Sequence, residues 1–78
     1  MHNTSIEEIK KFHKKIGQNV KKIRSEKNMT QLELSHAIGQ KSTTIISQAE
    51  LGSNKHFNIE QLYKISKVLD CDVRDFFS

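Results

Sequence analysis

The sequence predicts an all-α protein, a compact bundle of five helices in which the first helix is extended at its N-terminus. Apolar residues recur at steps of three and four, as they do along one face of a helix. Helix-capping residues precede each predicted helix. The 78 residues contain 21 Leu, Ile, Val or Phe, above the ~20% below which a charged chain usually stays disordered. One small domain is therefore expected, and the single Cys71 leaves it without an internal disulfide.

The first helix is predicted over residues 5–27. Thr4 or Ser5, followed three residues later by Glu7 or Glu8, forms a capping box. Asn28 is expected to end the helix in the left-handed conformation. Gly17 costs up to ~1 kcal/mol inside a helix, and one continuous helix and two helices divided at this residue are both alternatives. The apolar face consists of Ile6, Ile9, His13, Ile16, Val20 and Ile23, with Phe12 beside it.

The second, fourth and fifth helices also begin at capping pairs. Thr30 with Glu33 opens a helix over residues 31–38, which ends at Gly39 and buries Leu34 and Ile38. The fourth and fifth helices start at two further pairs, Asn58 with Gln61 and Asp72 with Asp75. Their apolar residues are Leu62, Ile65, Val68 and Leu69 in the fourth helix, and Val73, Phe76 and Phe77 in the fifth.

The third helix is predicted against its local sequence. Ser42 can cap a helix that runs to Leu51 and stops at Gly52. Residues 42–47, however, are polar and β-branched and locally favour a strand. A single short strand would have no partner in this chain, so we expect tertiary contacts to impose a helix over residues 43–51.

The second and third predicted helices have the length and spacing of a helix-turn-helix. Gly39 permits the turn, and Ile46 would point back at the preceding helix. The outward face of the third helix then carries short or amide side chains that can hydrogen-bond to base edges, glutamine to adenine above all. These candidates for base contacts are Thr43, Thr44, Ser47 and Gln48.

Positive charge is concentrated in the first part of the chain. The net charge is +4, made up of +5 over residues 1–28 and −1 over residues 29–78. Such a segment indicates a polyanionic partner, either nucleic acid or an anionic membrane surface, or else a solvated helix face.

Four segments together resemble the Cro/C1-type (XRE-like) helix-turn-helix family of phage repressors and bacterial regulators. The resemblance covers about residues 16–77 and implies a lambda-repressor-like, five-helix DNA-binding domain that acts as a dimer. We therefore expect a helical extension over residues 1–15 and a DNA-binding domain over residues 16–78. The segments are Ile16 with residues 20–24, then residues 29–34, 46–52 and 62–69.

The resemblance also implies roles for individual residues. Gln31 corresponds to the family's phosphate-contacting glutamine, and Lys55 to a basic contact with the DNA backbone. Thr43, Thr44, Ser47 and Gln48 occupy its base-facing positions. Arg24 and Glu50 match its buried ion pair. We further expect phosphate contacts from Lys21, Lys22 and Lys41, and a dimer interface formed by the loop after the third helix together with Val73, Phe76 and Phe77.

The chain departs from the family pattern in the turn. One extra residue between Gly39 and Glu50 suggests that Gln40 and Lys41 widen it, which would shift the base-facing register by one position. The loop over residues 53–58 looks extended. Ser35 replaces the usual alanine, and its hydroxyl is expected to bond to the carbonyl four residues earlier.

Other classes of function find little support in the sequence. The four histidines (His2, His13, His36 and His56) and Cys71 have no metal-ligand spacing, so no metal or cofactor is expected. Cys71 is interpreted as a small, partly buried apolar group. No nucleophile–base pair indicates an enzyme. The chain has neither a signal peptide nor an apolar run of ~20 residues, and a soluble cytoplasmic protein is expected.

The sequence thus predicts a sequence-specific regulator that binds double-stranded DNA as a homodimer on a palindromic or repeated operator. It does not separate a phage-type repressor from a restriction–modification controller or an antitoxin. A protein-interaction module on the same scaffold is the alternative, and a peripheral membrane protein is the third. Ile6, Ile9 and Phe12 are assigned first to core cover, second to a dimer contact and third to a membrane-surface helix.

Overall fold

The computed structural model describes residues 4–52 and 55–78. These residues form four α-helices and no strand. The helices are α1 (Ile6–Glu26), α2 (Gln31–Ala37), α3 (Thr44–Leu51) and α4 (Ile59–Val68), and a C-terminal 3-10 helix, η1 (Val73–Phe77), follows them. The all-α prediction is confirmed, but the count of five α-helices is wrong. The last predicted helix has five residues, and Asp75 N–H bonds to the carbonyl of Asp72 three positions back.

Local capping sets most of the helix ends. The Ser5 hydroxyl accepts from Glu8 N–H at 3.1 Å and starts α1. Reciprocal side-chain and backbone bonds start α2 at Thr30 and α4 at Asn58. Asn28 follows α1 with φ of +57°, the left-handed conformation that the sequence predicted. These ends lie within one residue of their predicted positions because caps depend only on neighbouring residues.

Gly17 does not divide α1, which is continuous from Ile6 to Glu26. The glycine is buried where α3 crosses α1. A Cβ at this position would collide with the carbonyl oxygen of Ala49 and lie 3.0 Å from Cα of Glu50. The absence of a side chain therefore permits the backbones of the two helices to approach each other.

The apolar core lies between the four α-helices and η1. Phe57, in the segment before α4, contributes to it although no periodic pattern marked this residue. The core consists of Ile16, Val20, Leu34, Ile38, Ile46, Ala49, Phe57, Leu62, Ile65, Leu69 and Phe76.

The first turns of α1 extend beyond this core. Ile6, Ile9 and Phe12 are 70%, 45% and 50% exposed, and Ile16 is the first residue of α1 with a buried apolar side chain. Their predicted role as core cover is therefore wrong, because α1 is longer than the bundle it packs against.

Tertiary contacts hold α3 in its helical form. Ile46 is fully buried and Ala49 is 1% exposed, so one face of the β-branched stretch packs into the core. The helix begins at Thr44, one residue later than predicted, and Thr43 makes no side-chain capping bond. Gly52 ends it with φ of +69°, and a Cβ there would lie 2.7 Å from Cα of Lys14. Two close approaches between α1 and the C-terminal part of α3 thus depend on a glycine.

The C-terminal segment is attached to α1 by polar and apolar contacts. The Asn19 amide donates to the carbonyls of Phe76 and Ser78 at 2.9 and 3.1 Å. Phe76 is fully buried, so its predicted place in a dimer interface is wrong, whereas Phe77 is 42% exposed. The Arg74 guanidinium bonds to the Asp72 carboxylate and lowers the pKa of that carboxyl to about 2.

Candidate nucleic-acid interface

The connection between α2 and α3 is longer than the 3–4-residue turn of a compact helix-turn-helix. Helix α2 ends at Ala37 and α3 begins at Thr44. Gly39 has φ of +88°, and Gln40 N–H bonds to the carbonyl of Ser35 at 2.8 Å. The expected widening by Gln40 and Lys41 is therefore present.

Ser35 is the small residue at which α2 is packed into the bundle. It is fully buried, and its hydroxyl oxygen has no hydrogen-bond partner among the described residues. The expected bond to the carbonyl four residues earlier is therefore absent. Ser35 acts here as a substitute for alanine and carries one unsatisfied polar atom.

A buried ion pair fixes α3 to α1. Arg24 donates to Glu50 twice, from Nε to Oε2 at 2.7 Å and from Nη2 to Oε1 at 3.0 Å. The third guanidinium bond runs from Nη1 to the carbonyl of Met29 at 2.7 Å. This two-point contact, formed as the family resemblance implied, restricts both the position and the rotation of α3.

Gln31 belongs to the same network. Its amide Nε2 donates to Oε1 of Glu50 at 2.9 Å, which orients the side chain at the start of α2. An amide nitrogen carries two hydrogens, so one donor remains for a phosphate oxygen. This position is chemically consistent with the predicted phosphate contact from Gln31, because the hydrogen bond to Glu50 holds the side chain in place.

The outer face of α3 presents hydroxyl groups. Thr44 is exposed, whereas Thr43 and Ser47 are half-buried. The Thr44 hydroxyl oxygen accepts from Ser42 at 3.2 Å, which leaves its own hydrogen to donate. The Ser47 hydroxyl donates to the carbonyl of Thr44 at 3.2 Å and keeps its lone pairs as acceptors. The helix therefore offers one donor and one acceptor on adjacent turns.

Gln48 is less accessible than predicted. The residue is half-buried, and its carbonyl oxygen is buried without a hydrogen-bond partner among the described residues. Bidentate pairing with adenine uses the amide oxygen as well as the nitrogen. The Gln48 side chain must therefore rotate to make that pair. Because its carbonyl oxygen has no hydrogen-bond partner among the described residues, the rotation breaks no hydrogen bond of that oxygen.

The lysines predicted to contact phosphates lie in three separate parts of the fold. Lys41 is exposed in the turn before α3, Lys21 is exposed on α1, and Lys55 is exposed in the segment before α4. Lys22 lies with Asn19 and Ser78 beside a groove next to η1. Helix α3 packs on the side of α1 that holds Gly17 and Arg24, and Lys22 lies on a different side. The predicted phosphate contact from Lys22 is therefore wrong.

A pair of stacked histidines joins α1 to the segment that carries Lys55. The rings of His13 and His56 lie 3.7 Å apart between centroids and are tilted by only 9°. Partial burial lowers the pKa of His13, and the charge of His56 lowers it further. No sequence signal predicted this contact, because the two residues are 43 positions apart and the periodic pattern places His13 only on the apolar face of the first helix.

No metal-binding group appears among the described residues, where no three His, Cys, Asp or Glu side chains cluster. His2 and residues 53–54 of the predicted extended loop lie outside the described ranges. Cys71 is half-buried, and burial raises the pKa of its thiol, which keeps it protonated. Its interpretation as a small apolar group is consistent with this environment.

A comparison of the sequence with known protein families agrees with the helix-turn-helix arrangement of α2 and α3. The sequence model of the family described as Helix-turn-helix (HTH_3) matches residues 20–76. The chain belongs to this helix-turn-helix family. Membership in this family supports a DNA-binding transcription regulator of the XRE type.

A solved structure has the same fold as this helix-turn-helix protein. The restriction-modification controller protein C.AhdI from Aeromonas hydrophila is similar with a TM-score of 0.74 at 23% identity, over 82% of this chain and 94% of that one. No curated protein matches the sequence. Within residues 4–52 and 55–78, no helix is long and apolar enough to cross a membrane.

Proposed function

We propose that this helix-turn-helix protein is a sequence-specific transcriptional regulator that binds double-stranded DNA as a homodimer. Its operator is a palindrome or a repeat, and α3 enters the major groove of each half-site. Residues 16–78 form the DNA-binding domain, and the part of α1 that precedes Ile16 extends from it.

The observation that carries the proposal is the orientation of α3. Its inner face is held by Ile46 in the core and by the Glu50 carboxylate on Arg24. Because these contacts fix the rotation of the helix, Thr44 and Ser47 lie on the opposite, accessible side. A short polar helix held in this way is suited to contact base edges.

The remaining contacts divide between bases and backbone. We assign base contacts to Thr43, Thr44, Ser47 and Gln48, the last after rotation of its amide. Backbone phosphates are assigned to Gln31 at the start of α2 and to a set of exposed lysines. These lysines are Lys21, Lys41 and Lys55.

A homodimer is proposed because one eight-residue helix contacts few base pairs. Two symmetric copies on half-sites ~34–36 Å apart combine their binding energies on one face of the duplex. The C.AhdI structure is of a restriction-modification controller. That similarity supports a regulatory role for this chain.

Selection of bound sequences from a random duplex library, using the full chain, tests the proposal. We expect enrichment of one motif in two related halves separated by about one helical turn. Retention of DNA without enrichment would contradict sequence-specific binding and favour an interaction module on this scaffold. Enrichment of a single undivided motif would contradict the dimer.

A further inference from the structure

The first turns of α1 carry apolar side chains that remain 45–70% exposed to solvent within the described part of the chain. Ile6, Ile9 and Phe12 continue the helix face that farther along holds the buried Ile16 and Val20. Phe77 extends the patch from the C-terminus, with its ring 6.2 Å from that of Phe12 in a stacked arrangement. We name these four exposed residues, Ile6, Ile9, Phe12 and Phe77, the N-terminal strip.

Charge along the same turns is strongly ordered. Glu7 and Glu8 lie at the start of α1, and the charged residues of the next two turns are all basic. These exposed residues are Lys10, Lys11, Lys14 and Lys15, the last two about two turns after the glutamates. A parallel pair of such helices would place like charges together. In an antiparallel pair, the acidic end of one helix faces the basic end of the other.

We infer that the N-terminal strip is a self-association surface, on which a second copy of this chain packs its own α1 in the antiparallel direction. Ile9 of one copy then lies beside Phe12 of the other, and Glu8 lies opposite Lys15. The inference specifies the contact of the homodimer in the proposed function and rests on that dimer, but its test does not use DNA.

The size of the strip sets the expected strength. An aromatic side chain covers ~150–250 Å² when buried, so two half-exposed phenylalanines and two isoleucines present on the order of 400 Å² per copy. A standard stable interface uses about 800 Å² per partner. Association through the strip is therefore weak, and it populates fully only at high concentration or when DNA holds two copies together.

Sedimentation equilibrium of the full chain, from micromolar to near-millimolar concentration, measures this association. We expect a monomer–dimer equilibrium that Ile9→Glu weakens about tenfold or more, because the substitution places a carboxylate in an apolar contact. Ile59→Glu is the matched control, since Ile59 is 84% exposed on α4, a helix that contributes no residue to the strip. We expect the control to associate like the wild type, and circular dichroism to show both variants folded.

Charge reversal tests the direction of packing and does not depend on the apolar substitution. Glu8→Lys and Lys15→Glu should each weaken association about threefold at low salt, because two like-charge contacts form by symmetry. The double variant should recover, since the opposite charges then face each other again. A parallel pair would show neither the single losses nor the recovery.

Three results would overturn the inference. The wild type remaining monomeric up to near-millimolar concentration would remove the strip contact, whereas two related half-sites in the selected DNA would still support a homodimer that forms on the operator. Association that is weakened by Ile59→Glu and not by Ile9→Glu would place the dimer on α4. Strip-dependent binding of a monomer to vesicles containing anionic lipid would assign these residues to a membrane surface. A dimer that passes these tests and selects no DNA motif would contradict the proposed function alone.

Discussion

Arg24 and Glu50 bind each other through two hydrogen bonds, of 2.7 and 3.0 Å, across the contact between α1 and α3. Their side chains are only 10% and 2% exposed. The same carboxylate also accepts from Gln31, so one buried charge links the core, the orientation of α3 and a proposed phosphate contact. The fold and the proposed phosphate contact therefore depend on the same pair of residues.

Removal of Arg24 should destabilise the fold strongly. Arg24→Ala leaves the Glu50 carboxylate buried without its partner, and we expect a loss of about 3–5 kcal/mol in the free energy of unfolding, measured by urea denaturation. Arg74→Ala is the control, because its ion pair with Asp72 is exposed to solvent and should contribute little to stability. Equal losses in the two variants would contradict a structural role specific to the buried pair.

Gly17→Ala should destabilise the protein although alanine favours helix by up to ~1 kcal/mol over glycine. The added Cβ collides with the backbone of α3 at Ala49, and relief of such overpacking costs about 1–3 kcal/mol. Thermal and urea unfolding measure the change. The control is Gln18→Ala at the next, exposed position of α1, where we expect a change within about 0.5 kcal/mol. Stabilisation by Gly17→Ala would show that the helices do not approach this closely.

Ser35→Ala should leave the protein as stable or make it more stable by about 1 kcal/mol, since it removes a buried hydroxyl that has no partner. Ser66→Ala is a closely matched comparison. Ser66 is also buried, but its hydroxyl donates to the carbonyl of Tyr63 at 2.7 Å. We expect a loss of ~0.5–1.5 kcal/mol in that variant. The opposite order of the two urea midpoints would indicate that Ser35 is hydrogen-bonded in solution.

Gln48→Ala should reduce discrimination among DNA sequences. We expect binding to the selected motif to weaken by ~1–3 kcal/mol, with non-specific binding nearly unchanged, in fluorescence anisotropy titrations. Lys55→Ala provides the contrast, because a phosphate contact acts on every sequence. It should weaken all duplexes similarly and reduce the slope of log K against log salt by ~0.9. A uniform loss for Gln48→Ala, or an unchanged slope for Lys55→Ala, would remove that residue from its assigned role.

Stability should fall as the pH is lowered through the histidine range. The pKa of folded His13 lies below its ordinary value of 6.5, so the unfolded chain binds a proton more readily. Its contribution is complete above that ordinary value and is lost as the pH falls through the lower, folded pKa. Urea midpoints between about pH 7.5 and 5 should therefore decline less in His13→Gln than in the wild type. Identical declines would contradict a lowered pKa of His13 in the folded protein.

Much of the secondary structure follows from neighbouring residues. Caps at Ser5, Thr30 and Asn58 place three helix starts, and Asn28 and Gly52 take the left-handed conformations that end α1 and α3. The apolar periods of α2 and α4 identify residues that are buried in the structure. These predictions succeed because caps and helix faces depend on residues within about four positions of each other.

The features that position the candidate interface depend instead on residues far apart in the chain. The helical form of α3 requires Ile46 in a core to which Phe57 and Phe76 also contribute. Burial of the Gln48 carbonyl, the close approach at Gly17 and the stacking of His13 on His56 arise only when α1, α3 and the segment before α4 pack together. Local sequence patterns carry no information about the distance between such segments in the folded protein. Chain packing alone therefore decides which polar groups of α3 remain free to contact DNA.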